Sequence, residues 1–286
     1  MKTIRLTILM FVIISTMTSC KTTSINGTFY GWPDATGDIK AAMITPMLVN
    51  KNNSAVKKQA RQLKESKHFN SVASLIDLQS GRNYIFPGRN ATALSSGTKK
   101  NIETVLREGI TPILIIRNDW AARTGTGSIP SVNGQIGNAQ FYNSSLLASE
   151  KKFVESLESY YKFIHIQINI EPDRDESANF ALELARHLRA NGFKNQIIIN
   201  PILKAESAHD KIRSKLNEFN VKWARSRANN NFGSDPIINS DGNASINKST
   251  FKDYLNRVKS DGREYIIWCN DFSNISDSIP EEYLSL

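Results

Sequence analysis

Strand-like and helix-like segments alternate along nearly the whole chain, and this alternation narrows the folds open to it more than any other feature. Short apolar runs stand at 28–31, 72–78, 112–116, 163–170, 196–200 and 265–269, with a weaker one at 220–224. Between them lie segments with apolar residues at helical spacing: 55–64, 99–107, 150–161, the stretch carrying Phe180, Leu184 and Leu188, and 250–258. The fourth of these stops at Asn191-Gly192, a C-terminal signal because Gly adopts the left-handed backbone that ends a helix. Strands that alternate with helices pair in parallel, each helix carrying the chain back across the sheet.

Seven strands are legible in this way, and an eighth is expected within 39–49 or 231–247. The expected class is therefore α/β, a (β/α)8 TIM barrel or an incomplete variant of it. An open doubly wound sheet is the alternative, disfavoured because no Gly-rich phosphate loop follows the first strand. Connections into strands are short (108–111, 191–195, 260–263), whereas those leaving strands are long (79–97, 119–149, 226–248) and rich in Gly, Ser and Asn. Long loops in a domain of this kind are commonly functional. In a barrel they gather at the carboxyl ends of the strands, where active sites lie.

The first twenty residues point to secretion. Lys2 and Arg5 precede an apolar run from Leu6 to Ile14, followed by Ser15-Thr16-Met17-Thr18-Ser19-Cys20. The apolar run is far below the roughly 20 residues that span a bilayer, and a charged start, a short apolar core and small residues before a cut mark a signal peptide. Thr18-Ser19-Cys20 resembles the bacterial lipobox, which implies lipid on Cys20 and a membrane-anchored lipoprotein of the bacterial envelope, periplasmic or surface-exposed. The expected division is a leader over 1–19, a polar tether over 20–27 and one barrel domain over 28–286. Without the leader's two cations, Lys2 and Arg5, the net charge falls from +9 to +7. Interleaved acids assign this excess to a solvated surface, and nucleic acid is not an expected partner. With Cys20 lipidated, Cys269 has no disulfide partner.

The most informative segment runs from Phe163 to Asp173. In a strand, alternation puts Ile164, Ile166, Ile168 and Ile170 on one side and His165, Gln167, Asn169 and Glu171 on the other. A polar row on a central strand is tolerable where it opens into a wet, hydrogen-bonded mouth. Asn169-Ile170-Glu171-Pro172 resembles the Asn-Glu-Pro ending of the fourth strand in the large clan of retaining glycosidases with barrel folds, with Ile170 intervening here. The resemblance implies a general acid/base role for Glu171 and a polysaccharide or glycan as substrate.

Glycoside hydrolysis needs a second carboxyl group. Asp271, Asp119 and Asp77 each end an expected strand. Asp271 is preferred, because Ile267, Cys269 and Asp271 share a face and a late strand stands across a barrel from the fourth; Asp119 follows Arg117, which could hold it ionised. Trp32, Trp120, Trp223 and Trp268 all fall at or just after an expected strand's end, where indoles can stack on sugar rings. Asn200, Arg225 and Asn270 are further candidates for hydroxyl binding. The four histidines, His68, His165, His187 and His209, lack metal-ligand spacing, so neither a metal nor another cofactor is expected. No Gly-x-Ser-x-Gly elbow suggests a serine esterase. A glycan-binding protein or adhesin that keeps the groove without catalysis is the rival reading.

Overall fold

Eight of the ten strands among the described residues belong to one sheet in which every paired neighbour runs parallel. The computed structural model describes residues 23–25, 28–35, 37–44, 47–76, 93–117, 144–170, 175–201, 221–225, 237–238 and 264–268. The sheet strands are β3 (Lys40–Met43), β4 (Ser71–Leu75), β5 (Thr111–Arg117), β6 (His165–Ile170), β7 (Ile197–Pro201), β8 (Val221–Arg225), β9 (Ile237–Ile238) and β10 (Tyr265–Trp268). Their order is β10-β3-β4-β5-β6-β7-β8-β9. The two ends of that order, β9 and β10, approach each other, so the sheet curls toward closure. Among the described residues no ladder joins them, and the (β/α)8 barrel is incomplete at this seam.

Register sorts the strand residues into two rows. Met43, Ala73, Ile113 and His165 are consecutive partners, as are Leu75, Ile115, Gln167 and Ile198. The apolar members of these rows pack with Ile39, Ala41 and Ile266 as the barrel's inner core. The opposite phase, including Leu114, Ile116, Ile166, Ile168, Ile197 and Ile199, is also buried. Burial on both sides explains why these strands read as nearly continuous apolar runs.

Four helices are described: α1 (Asn53–Glu65), α2 (Ser96–Arg107), α3 (Ser144–Glu155) and α4 (Asp175–Ala190). The Asn52 side chain caps α1 by accepting from the Ser54 and Ala55 amides, and Ser95 caps α2 by accepting from Thr98. Helices α2 and α4 end in paired bonds characteristic of the Schellman turn, Gly109 N to Leu106 O with Ile110 N to Val105 O, and Gly192 N to Arg189 O with Phe193 N to Leu188 O. Both glycines have positive φ, +78° and +82°. At the corresponding place after α1 stands Lys67, also at positive φ (59°). Asn101 of α2 is buried and donates to the Leu48 and Asn50 carbonyls at 2.9 and 2.8 Å. It also accepts from Asn53 at 2.8 Å, fastening the β3–α1 connection to its neighbour.

Several expectations change. The run at 28–31 is not a barrel strand: β2 (Thr28–Tyr30) pairs antiparallel with β1 (Thr23–Ile25) in a separate ribbon. The expected tether thus contains a strand, and the barrel unit is Asp34–Leu286. The two regions offered for an eighth strand each hold one, β3 and β9. Helix α3 does not continue to 161, because Ser156 Oγ donates to the Phe153 carbonyl (2.6 Å) and a 3-10 turn at Glu158–Tyr160 follows. The helix expected at 250–258 lies outside the described residues.

Candidate functional site

Three adjacent strands carry a polar residue at one level, in their last or last-but-one position. Arg117 of β5 pairs with Asn169 of β6, and Asn169 pairs with Asn200 of β7. All three occupy the inner phase, one step beyond the row formed by Ile115, Gln167 and Ile198. The row therefore stands at the carboxyl ends of the strands, above a filled core. Counting from β3, β6 is the fourth barrel strand and β10 the eighth. They lie four positions apart in either direction around the curled sheet.

The polar row divides into a floor and a mouth. His165 (1% exposed) and Gln167 (0%) are sealed inside the barrel and do not meet solvent, contrary to a wet mouth along the whole row. His165 Nδ1 accepts from the Gln196 amide at 3.2 Å, which in a neutral ring puts the proton on Nε2. Asn169 is the inner-phase residue above them, and Glu171 follows in sequence immediately beyond Ile170, the last residue of β6. Glu171 itself, Asp77, Asp119, Trp120, Asn270, Asp271 and Cys20 lie outside the described residues.

The two tryptophans on described barrel strands take different phases. Trp268 pairs with Met43 and ends β10 in the inner phase. Trp223 pairs with Ile199, out of phase with Asn200. Trp32 is buried and belongs to the N-terminal unit, Met1–Pro33. In β10, Ile266 lies in the inner core, so Ile267 takes the outer phase. Arg225 pairs with Ile238 in that same outer phase of β8.

Perturbed ionisable groups cluster in the helical layer. Burial pushes the Glu150 carboxyl well above its ordinary 4.5. Glu150 is fully buried on α3, and among the described residues neither carboxyl oxygen has a hydrogen-bond partner. The Tyr161 phenol is pushed up to about 12 by burial, then by Glu158 and Glu155, and donates to the Val154 carbonyl at 2.8 Å. Burial lowers the Arg189 guanidinium, which donates to the Phe193 and Asn195 carbonyls at 2.7 and 2.8 Å. Tyr161 and Arg189 thus hold the turns that lead into β6 and β7, at the end of the barrel away from the polar mouth. Helical periodicity places Glu150 in a helix but carries no sign of its complete burial.

The described strands and helices form a (β/α)8 TIM barrel, incomplete at one seam, and solved structures agree on the fold. The chain resembles a GH5-4 broad-specificity endoglucanase from Clostridium acetobutylicum with a TM-score of 0.54 at 14% identity, over 86% of this chain and 96% of that one. A glycoside hydrolase of family 5 from Bacteroides vulgatus gives 0.52 at 13%, over 86% and 60%. The structure of wild-type ZgEngAGH5_4 gives 0.53 at 10%, over 87% and 95%. At such identities the likeness is one of fold. No protein-family model matches the sequence, nor does any curated protein.

Proposed function

We propose that this chain is a secreted, lipid-anchored envelope protein whose barrel acts on a polysaccharide or glycan by carboxylate acid/base catalysis. The observation that carries the reading is positional. Glu171 follows the fourth barrel strand, beyond an inner-phase Asn169 flanked by Arg117 and Asn200 on the neighbouring strands. A carboxyl group there would donate a proton to the glycosidic oxygen, and the amides and guanidinium beside it offer donors to sugar hydroxyls. Asp271 follows the strand diametrically across the barrel and would serve as nucleophile or base, with Asp119, beside Arg117, as the other candidate. Trp268, in the inner phase of the eighth strand, is the best-supported stacking platform, with Trp120 beyond β5. Trp32, Trp223 and Asn270 remain lesser candidates for glycan contact. The anchor is Cys20, after cleavage of 1–19.

The test is Glu171→Gln against the parent protein on a panel of polysaccharides, read as reducing ends released. The expected result is loss of cleavage with retained binding, and undiminished cleavage removes Glu171 from the reaction. A carboxyl separation of about 5–5.5 Å would suit a retaining mechanism and roughly 6.5–9.5 Å an inverting one. One observation favours the non-catalytic rival: Ile170 separates Asn169 from Glu171, so the amide and the carboxyl stand two positions apart in the sequence instead of at successive positions. Glycan binding unchanged by Glu171→Gln, without cleavage by either protein, would support that rival.

A further inference from the structure

The interleaving of charges expected from the sequence holds on one side of the barrel and fails on another. Helices α3 and α4 carry four Lys or Arg against five acids. They are cross-linked by Lys151 to Glu183 (3.9 Å) and His187 to Glu155 (2.8 Å), with Arg186 also on Glu183. Across 51–67 and 96–108, by contrast, nine Lys or Arg stand against three Glu. Two of those glutamates are already occupied. Glu108 takes Arg61 at 3.0 Å and Lys57 at 4.0 Å, and Glu103 takes Arg107 at 3.1 Å. Lys58, Lys64, Lys99 and Lys100 are all exposed, and among the described residues none makes an ion pair.

The two helices are held side by side by Asn53, which donates to Asn101 and Thr104. Neighbouring helices pack about 8–10 Å apart, and Lys58 to Lys64 spans about 9 Å of helix. The unpaired ammonium groups thus share one side of the helical layer, away from the inner core. A glycan threading the carboxyl-end mouth would not lie along this outer side. A bilayer surface fits it better. Only fourteen positions separate Cys20 from Asp34, where the barrel unit begins, and six of them are strand residues of the β1–β2 ribbon. At no more than about 3.4 Å per residue, the tether holds the barrel within roughly 50 Å of its membrane.

We propose that the α1–α2 wall docks on the anionic phospholipid headgroups of the membrane that carries the tether. The inference rests on the lipid-anchor reading of Cys20. Attraction of this kind acts within a Debye length of the surface, about 8–10 Å, and adds roughly fivefold in affinity per lysine.

The experiment uses the chain from residue 20 onward with Cys20→Ser, which keeps the ribbon and the whole barrel unit but removes any lipid contribution. It is floated with vesicles of phosphatidylglycerol and phosphatidylcholine, and with phosphatidylcholine alone. Binding is expected only to the anionic vesicles and is expected to be released by salt. Replacing Lys58, Lys64, Lys99 and Lys100 together with Gln should weaken it by roughly several hundredfold. Lys151→Gln with Lys152→Gln on α3 should leave it unchanged. Equal binding to neutral vesicles, equal binding by the four-lysine variant, or a preference for a soluble acidic polysaccharide over vesicles overturns the proposal. The anchor reading fails separately: the intact protein from cells would then carry an unmodified Cys20 by mass, whatever the vesicles show.

Discussion

Glu150 ties stability to pH in the direction opposite to most surface acids. Glu150 is 0% exposed and among the described residues neither carboxyl oxygen has a hydrogen-bond partner, so the neutral acid is the form the fold accommodates. Burial raises its folded pKa well above 4.5, the value it regains on unfolding. Between those two values the folded chain binds more protons than the unfolded one, and stability must fall as pH rises. The contribution is full below about 4.5 and is lost through the window up to the raised folded pKa. Inside that window the slope is about 1.4 kcal/mol per pH unit.

Glu150→Gln keeps the shape and removes the titration. The difference in stability between parent and variant should therefore move in the variant's favour by about 1.4 kcal/mol for each pH unit inside the window that opens at 4.5 and closes at the raised folded pKa. At about 2–4 °C per kcal/mol for a domain of this size, that is roughly 3–6 °C per pH unit in the difference between melting temperatures. Paired melts by circular dichroism at pH 5, 6, 7 and 8 read it directly, because contributions from all other groups cancel between the two proteins. Parallel curves across that range would refute the reasoning and mean that the carboxyl finds water or a partner when ionised.

Two further outcomes test the local architecture. Asn101→Ala removes the donors to the Leu48 and Asn50 carbonyls and the acceptor for Asn53, and should destabilise by about 2–4 kcal/mol in urea unfolding, since partners are left unpaired. Lys67→Gly relieves a left-handed lysine at φ 59° and should stabilise by about 1 kcal/mol in the same assay, with no change in the shape of the transition.

The local grammar of the chain is written in its residues. Asn52 and Ser95 start helices, Gly109 and Gly192 end them, and apolar runs between them must be strands buried on both faces. From this the parallel barrel follows, as does the polar phase of β6 that runs from His165 to Asn169. These are short-range effects, decided within a turn or two of backbone. What the tertiary structure decided is which segments pair. The run at 28–30 satisfies its backbone bonds with 23–25, and the first place in the barrel goes to Lys40–Met43, whose Ala41-Ala42 centre has no periodicity to announce it. Register between distant strands set Trp223 and Ile267 out of phase with the polar row while keeping Trp268 in it. Packing likewise buried Glu150 with no hydrogen-bond partner among the described residues and set the lysine-bearing helices α1 and α2 side by side. Strand pairing and helix packing join residues far apart in sequence, and no local pattern encodes which partner a buried backbone or carboxyl group will meet.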